Sequence, residues 1–299
     1  MSSTRWLVLG AGGMLGRDLT AVLSDRSDVV LTAATRSDVD VRDADAVRRA
    51  VAAADIVINS SAWTDVDGAE ADPAGAMAVN GDAVGVLATA CAETGIPLIH
   101  VSTDYVFPGD ATQPYAEDAP TAPINAYGRS KLAGEQHVLR ELPRLGYVVR
   151  TAWLYGEHGR NFVRTMLTLA QTRETVEVVD DQRGQPTWSG ALAVRLVELG
   201  QRALAGTAPP GVYHGTASGE TTWYGLARAA YELAGLDPDR VRPTTSQAFV
   251  RPAPRPSYSV LGHARWTAAG LPPLADWRAM LTEAMPRLIP AVSNAAPPA

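Results

Sequence analysis

The chain has 299 residues, 46% hydrophobic and 19% charged, with a net charge of −6 and a single cysteine. That profile suits one large α/β unit or two smaller globular domains, and its acidic balance argues against a broad nucleic-acid-binding face. Cys91, alone, excludes an internal disulfide. The opening "MSSTRWLVLG" lacks a basic segment ahead of a long apolar stretch, and no run reaches membrane-spanning length. The expected setting is cytoplasmic, with neither membrane nor nucleic acid as a partner.

In the first half, short β-branched runs alternate with helical patterns. Strands are expected at "WLVLG" (6–10), "VVLTAA" (29–34), "DIVINSS" (55–61), "PLIHVS" (97–102) and "YVVRTA" (147–152), all apolar enough to be covered on both faces. Helices are expected at "MLGRDLTAVLS", at "DADAVRRAVAAA", around 74–94 and over about 127–142. This β-α-β-α order implies an α/β fold, a doubly wound, Rossmann-type parallel sheet, whose ligands sit beyond the carboxyl ends of its strands. The second half is less regular. "NFVRTMLTLAQ", a segment near 190–204 and "WYGLARAAYELAG" read as helices, "GVYH" and part of "TVEVVDDQRGQPT" as strands, and the prolines of "RPAPRPSYSVL" force extended backbone. Residues 1–150 therefore read as a dinucleotide-binding domain. Residues 151–290 read as mainly a smaller mixed α/β substrate domain interleaved with the first, and 291–299 as a flexible tail. The five histidines show no metal-ligand clustering; His100 and Cys91 read as core residues.

The first strand runs straight into "GAGGMLG", and the spacing Gly10-x-x-Gly13-x-x-Gly16 lets a pyrophosphate approach the backbone of Met14 and Leu15 at a helix N-terminus. After the second strand a NAD-preferring fold usually carries an acid for the ribose diol. Here Arg36 occupies that region, suited to a 2′-phosphate, with Asp40 and Val41 following on the adenine side. The third strand leads into Ser61, Ala62 and Trp63, and the fourth into Ser102, Thr103, Asp104 and Tyr105, and the hydroxyls there could hold a substrate carbonyl. Tyr127 and Lys131, four apart, share one face of a helix. An ammonium there would favour the ionised phenol and ease proton transfer. Alone, that pair reads as well as an ordinary surface helix, and Arg36 as a solvated loop charge.

The ordered set is more specific than its parts. "GAGGMLG", "INSSAWTDVDGAE", "VNGDAV", "STDYVFPG", "PINAYGRSKLAGE", "RTAWLYG", "NFVRTML", "VVDDQRGQPT" and "RPSYSVL" resemble, in order, the blocks of the dTDP-4-dehydrorhamnose reductase family, within the extended short-chain dehydrogenases/reductases. The resemblance implies NAD(P)H-dependent reduction of the C4 ketone of dTDP-4-dehydro-L-rhamnose. In that reading Tyr127 is the general acid, Lys131 lowers its pKa and holds the nicotinamide ribose, and Thr103 bonds the carbonyl oxygen. Asp104, Tyr105, Trp153 and Arg255 fall at substrate-side positions. NADPH is the expected cofactor, with NADH also usable. Met14 and Trp63 depart from the residues usual in the family. A ketoreductase for another dTDP-4-keto-deoxysugar of antibiotic glycosylation, and a non-catalytic regulatory subunit of the same fold, are the alternatives. The family's link to Mg2+ finds no acid cluster to hold the ion, and a homodimer is left open.

Overall fold

The computed structural model describes residues 3–293. In chain order the first half contains β1 (Thr4–Leu9), α1 (Met14–Ser24), β2 (Val29–Ala34), α2 (Ala44–Ala52), β3 (Ile56–Asn59), α3 (Val66–Ala71), α4 (Pro73–Met77), α5 (Ala83–Thr94), β4 (Leu98–Thr103), α6 (Ala126–Glu141) and β5 (Gly146–Thr151). The second contains β6 (Leu154–Tyr155), α7 (Phe162–Leu169), β7 (Val176–Val179), β8 (Arg183–Gly184), β9 (Thr187–Trp188), α8 (Ser189–Leu204), β10 (Gly211–His214), β11 (Thr221–Thr222), α9 (Trp223–Leu233), β12 (Val241–Thr244), α10 (Ala264–Ala268) and α11 (Trp277–Ser293).

Six strands pair in parallel in the order β10-β5-β4-β3-β1-β2. The order reverses between β1 and β3, which opens a crevice at their carboxyl ends where ligands of such sheets bind. One face is covered by α1 and α8, with Trp6, Val8, Ile56 and Ile58 in one buried cluster with Leu192 and Leu196, a cluster that continues to Leu281 of α11. The other buries Leu7, Leu9, Val57 and Leu98 against Val47 and Val51 of α2, Leu87 and Cys91 of α5, and Val138 of α6. The edge strand β10 comes from the second half of the chain, so the main sheet extends past residue 150. The remaining short strands pair as β6 with β9 and β7 with β12, both parallel, and β8 with β11, antiparallel.

Three expectations need correction. The strand β2 is not covered on both faces: it is the outer edge of the sheet, and Val30 is 52% exposed. The helical stretch Pro73–Thr94 is long and apolar enough, at 22 residues and a mean hydropathy of 1.3, to cross a membrane by length and composition. Its apolarity has a local cause, since α5 lies between α2 and α6 with Val84, Leu87, Ala88 and Cys91 buried. Finally, α11 continues through Ser293, so 291–293 belong to a helix, while the rest of the expected tail, 294–299, lies outside the described residues.

Candidate active site

A cavity of about 930 Å³ runs along the carboxyl edge of the sheet. The loops after β1, β2, β3 and β4, the first turn of α6 and the segment after β5 all reach it, so residues far apart in sequence line one space.

At the end of β1 the chain turns on Gly10, whose φ of +79° suits glycine, and a Cβ there would lie 2.6 Å from the Ser61 amide nitrogen. A Cβ on Gly16 would collide with the Gly10 carbonyl oxygen, so both glycines are needed for the turn to close against its neighbours. Gly13 then caps α1 in extended conformation, with no side chain bonding the first-turn amides and no acid in that turn. Met14, Leu15 and Gly16 thus offer an uncapped helix N-terminus to the cavity, the arrangement that binds a pyrophosphate.

Beyond β2, Arg36, Asp40 and Val41 line the cavity as expected, and so does Arg42, which the sequence reading passed over. Arg42 grips Asp40 through Nη2 at 2.6 Å and Nε at 3.0 Å, while the 79%-exposed Arg36 approaches the same carboxylate at 3.8 Å. These contacts, Arg42's first, hold the Asp40 carboxyl well below the usual carboxylate range. The visible signal was an arginine two residues after the acid in "DVDVRD".

Ser61, Ala62 and Trp63 line the next wall. Their loop is fixed from beneath. The Ser61 amide and hydroxyl donate to Asn59 Oδ1 at 3.1 and 2.6 Å. Trp63 donates its amide to Asn80 Oδ1 at 2.9 Å, and Asn80 Nδ2 donates to the Trp63 carbonyl and the Ser130 hydroxyl, each at 3.0 Å. Asn80 is fully buried on a single π turn, Ala78–Asp82, between α4 and α5. It stands in the quoted block "VNGDAV", yet nothing in that block showed that it braces this loop.

The reactive end lies where β4 meets α6. Asn125 caps α6 by accepting from the Gly128 amide at 2.8 Å, which sets the first turn and aims Tyr127 and Lys131 into the cavity. The Tyr127 ring meets Tyr105 edge-on at 5.7 Å. The Thr103 hydroxyl donates to Asp104 Oδ1 at 2.9 Å and accepts from the Tyr105 amide at 3.2 Å. Lys131 Nζ donates to the Val101 carbonyl at 2.7 Å and faces His100 Nε2 at 3.4 Å. The expectation that Lys131 pulls down the phenol's pKa is therefore revised. Burial, then the Asp104 charge, raises it, and the Thr103 hydroxyl is the group that acts the other way. Burial also lowers the Lys131 amine to about 8, against the opposing pull of Glu135. Asp104 is pushed up to about 6 by burial, with the Ser259 and Thr103 hydroxyls opposing that rise.

Trp153 stands at φ +47°, alone among described non-glycine residues in positive φ, a conformation held only where packing enforces it. Its ring stacks on Trp223 at 3.6 Å, leaves no room for a Cβ on Gly184, and forms part of the cavity wall. Arg255 alone of the expected site residues does not line this cavity. Its guanidinium pairs with Asp67 of α3 at 3.0 Å and donates to the Ala253 carbonyl, which ties the Pro-rich stretch to that helix. Among the described residues no group of three or more His, Cys, Asp or Glu gathers to hold a metal ion.

Residues 4–289 match the family described as RmlD substrate binding domain. The chain belongs to that family. It is 57% identical over 286 residues to a dTDP-4-dehydrorhamnose reductase of Streptomyces griseus, covering 95% of this chain and 94% of that one. It is 51% identical to a dTDP-4-keto-6-deoxy-D-glucose reductase of Streptomyces niveus, covering 95% and 97%. A solved dTDP-4-dehydrorhamnose reductase of Bacillus anthracis, in complex with NADP, superposes with a TM-score of 0.86 at 33% identity, covering 94% and 98%. The protein is accordingly an oxidoreductase with a Rossmann-type fold, and the regulatory-subunit alternative gives way to the enzyme.

Proposed function

We propose that the protein uses NADPH to reduce the C4 ketone of dTDP-4-dehydro-L-rhamnose to dTDP-L-rhamnose. The observation that carries this reading is the meeting of Thr103, Tyr127 and Lys131 in the same cavity as the uncapped N-terminus of α1. The residues present fit a dinucleotide. First-turn amides of α1 would take its pyrophosphate, Arg36 and Arg42 a 2′-phosphate, and Lys131 the nicotinamide ribose. When bound, that cofactor supplies a hydride to the carbonyl carbon. The alkoxide that develops needs a proton, and Tyr127 is built to give one, because burial keeps its phenol protonated until a negative charge forms beside it. Thr103 would hydrogen-bond the same oxygen and stabilise the charge. Asp104, Tyr105 and Trp153 line the wall at which the sugar would be oriented. Arg255 would have to leave Asp67 to reach a diphosphate.

A second reading has support in the name of the Streptomyces niveus relative, a reductase of dTDP-4-keto-6-deoxy-D-glucose. Both readings use the same residues and differ only in the sugar. NADPH oxidation measured with a panel of dTDP-4-keto-6-deoxy sugars, made in situ from dTDP-glucose with and without the epimerase step, separates them. The highest kcat/KM is expected for dTDP-4-dehydro-L-rhamnose. Equal or faster turnover of the unepimerised sugar would move the assignment to the second reading. NADH is proposed as a usable but poorer donor, and the cytoplasm as the place of action.

A further inference from the structure

Beneath the cavity floor a chain of hydrogen bonds ends on Lys131, and its polarity can be read outward from a backbone amide. The Ser61 N–H can only donate, and it donates to Asn59 Oδ1, which also accepts from the Ser61 hydroxyl. The other amide atom of Asn59 must therefore be Nδ2, a donor, and it lies 3.1 Å from His100 Nδ1. Nδ1 must then accept, so the neutral imidazole carries its proton on Nε2, which faces Lys131 Nζ at 3.4 Å. Asn59, His100 and Lys131 are all buried, at 1%, 0% and 2% exposure, so water does not relax this polarity. Gly134, one turn beyond Lys131, lets α6 approach this closely, since a Cβ there would lie 3.4 Å from His100 Nε2 and collide with the Asn80 carbonyl.

We infer that His100 is a positioning residue for the reductase: it presents an N–H, locked by Asn59 and Ser61, to the Lys131 nitrogen and so favours the neutral amine over the ammonium while Lys131 rests against Val101. An N–H facing an ammonium is a donor facing a donor, whereas facing an amine it donates to the lone pair. The other charged group acting on Lys131 is Glu135 on its own helix, already paired with Arg150 of β5 at 2.7 Å. Burial acts on the amine in the same direction, lowering it to about 8. The inference rests on the reading above only for what Lys131 does in turnover; the ring's tautomer stands apart from activity.

Two measurements test it. In protein labelled with 15N-histidine, with the His100 signals assigned by their loss in His100→Gln, the wild-type ring should be neutral, with the proton on Nε2 across pH 6–8. The Asn59→Asp variant, whose carboxylate can only accept, should invert it to the Nδ1–H form. A wild-type Nδ1–H or doubly protonated ring overturns the inference even if the enzyme reduces its sugar normally. In the pH profile of kcat/KM, the alkaline limb should move up by about one unit or more in His100→Gln, whose amide can turn its oxygen to the ammonium. An unmoved limb in a folded His100→Gln protein also overturns it.

Discussion

Asp40 lies between two guanidiniums, and in the proposed reading this one carboxylate would govern how the site treats a 2′-phosphate. Gripped by Arg42 and approached by Arg36, it leaves a surplus positive charge where a bare acid would select a ribose diol. A charge-assisted contact contributes about 1.5–3 kcal/mol, or roughly ten- to a hundredfold in affinity. Arg36→Ala should raise KM for NADPH within that range with little change for NADH. Arg42→Ala should go further, because it also frees Asp40 to repel the phosphate, and should bring the two cofactors close to parity. The ratio of kcat/KM for the two cofactors in each variant is the measurement, and parallel losses with both would leave the arginines as counter-ions of Asp40 alone. Arg36 was legible from its place after β2, where an acid is otherwise expected. Arg42 was not, because its role follows from folding back on Asp40 within a loop. The proton chemistry divides the same way. Spacing alone put Tyr127 and Lys131 on one face, but what shifts their pKa values is burial first, then Asp104 and Thr103 at the end of β4 for the phenol and Glu135 of α6 for the amine.

The stretch from Pro73 to Thr94 shows what an element adds to its residues. Read as one helix near 74–94, it is interrupted by the π turn at Ala78–Asp82, and that turn carries Asn80, which satisfies both the amide and the carbonyl of Trp63 and reaches Ser130 on α6. Single π turns of this kind frequently occur at functional sites. No pattern of apolar residues reveals the extra residue in the turn, since buried residues stand both before it, at Ala76, and after it, at Ala83 and Val84. Asn80→Ala strands three partners at once, the Ser130 hydroxyl buried and the Trp63 amide and carbonyl partly so, and should cost about 2–3 kcal/mol in urea denaturation. It should also weaken cofactor binding, because Trp63 and Ala62 form the cavity wall that Asn80 braces. A destabilised variant with unchanged cofactor Kd would show that the loop holds its shape without Asn80.

The whole molecule is less divisible than its sequence. The alternating pattern of the first half made the parallel sheet legible up to β5, but nothing near "GVYH" announced that it would become the sheet's sixth strand, 60 residues or so downstream of its neighbour. Between the two, α8 packs on α1, with Gly200 admitting the Trp6 ring. One core therefore joins Trp6, Val8 and Ile56 to Leu192, Leu196, Leu281 and Leu288. A fragment ending at residue 155 would expose that face and should lack a cooperative transition, whereas the full chain should unfold in one step followed alike by near-ultraviolet circular dichroism and tryptophan fluorescence. A fragment that melts cooperatively would mean that the first five strands and their helices form a core sufficient by themselves.

The central claim is that the Tyr127 phenol delivers the proton in a ketone reduction, and turnover of Tyr127→Phe tests it most directly. With NADPH and dTDP-4-dehydro-L-rhamnose, the variant should fold, bind NADPH as the wild type does, and lose roughly 10²–10⁴-fold in kcat. Near-normal turnover in folded Tyr127→Phe protein would contradict the account.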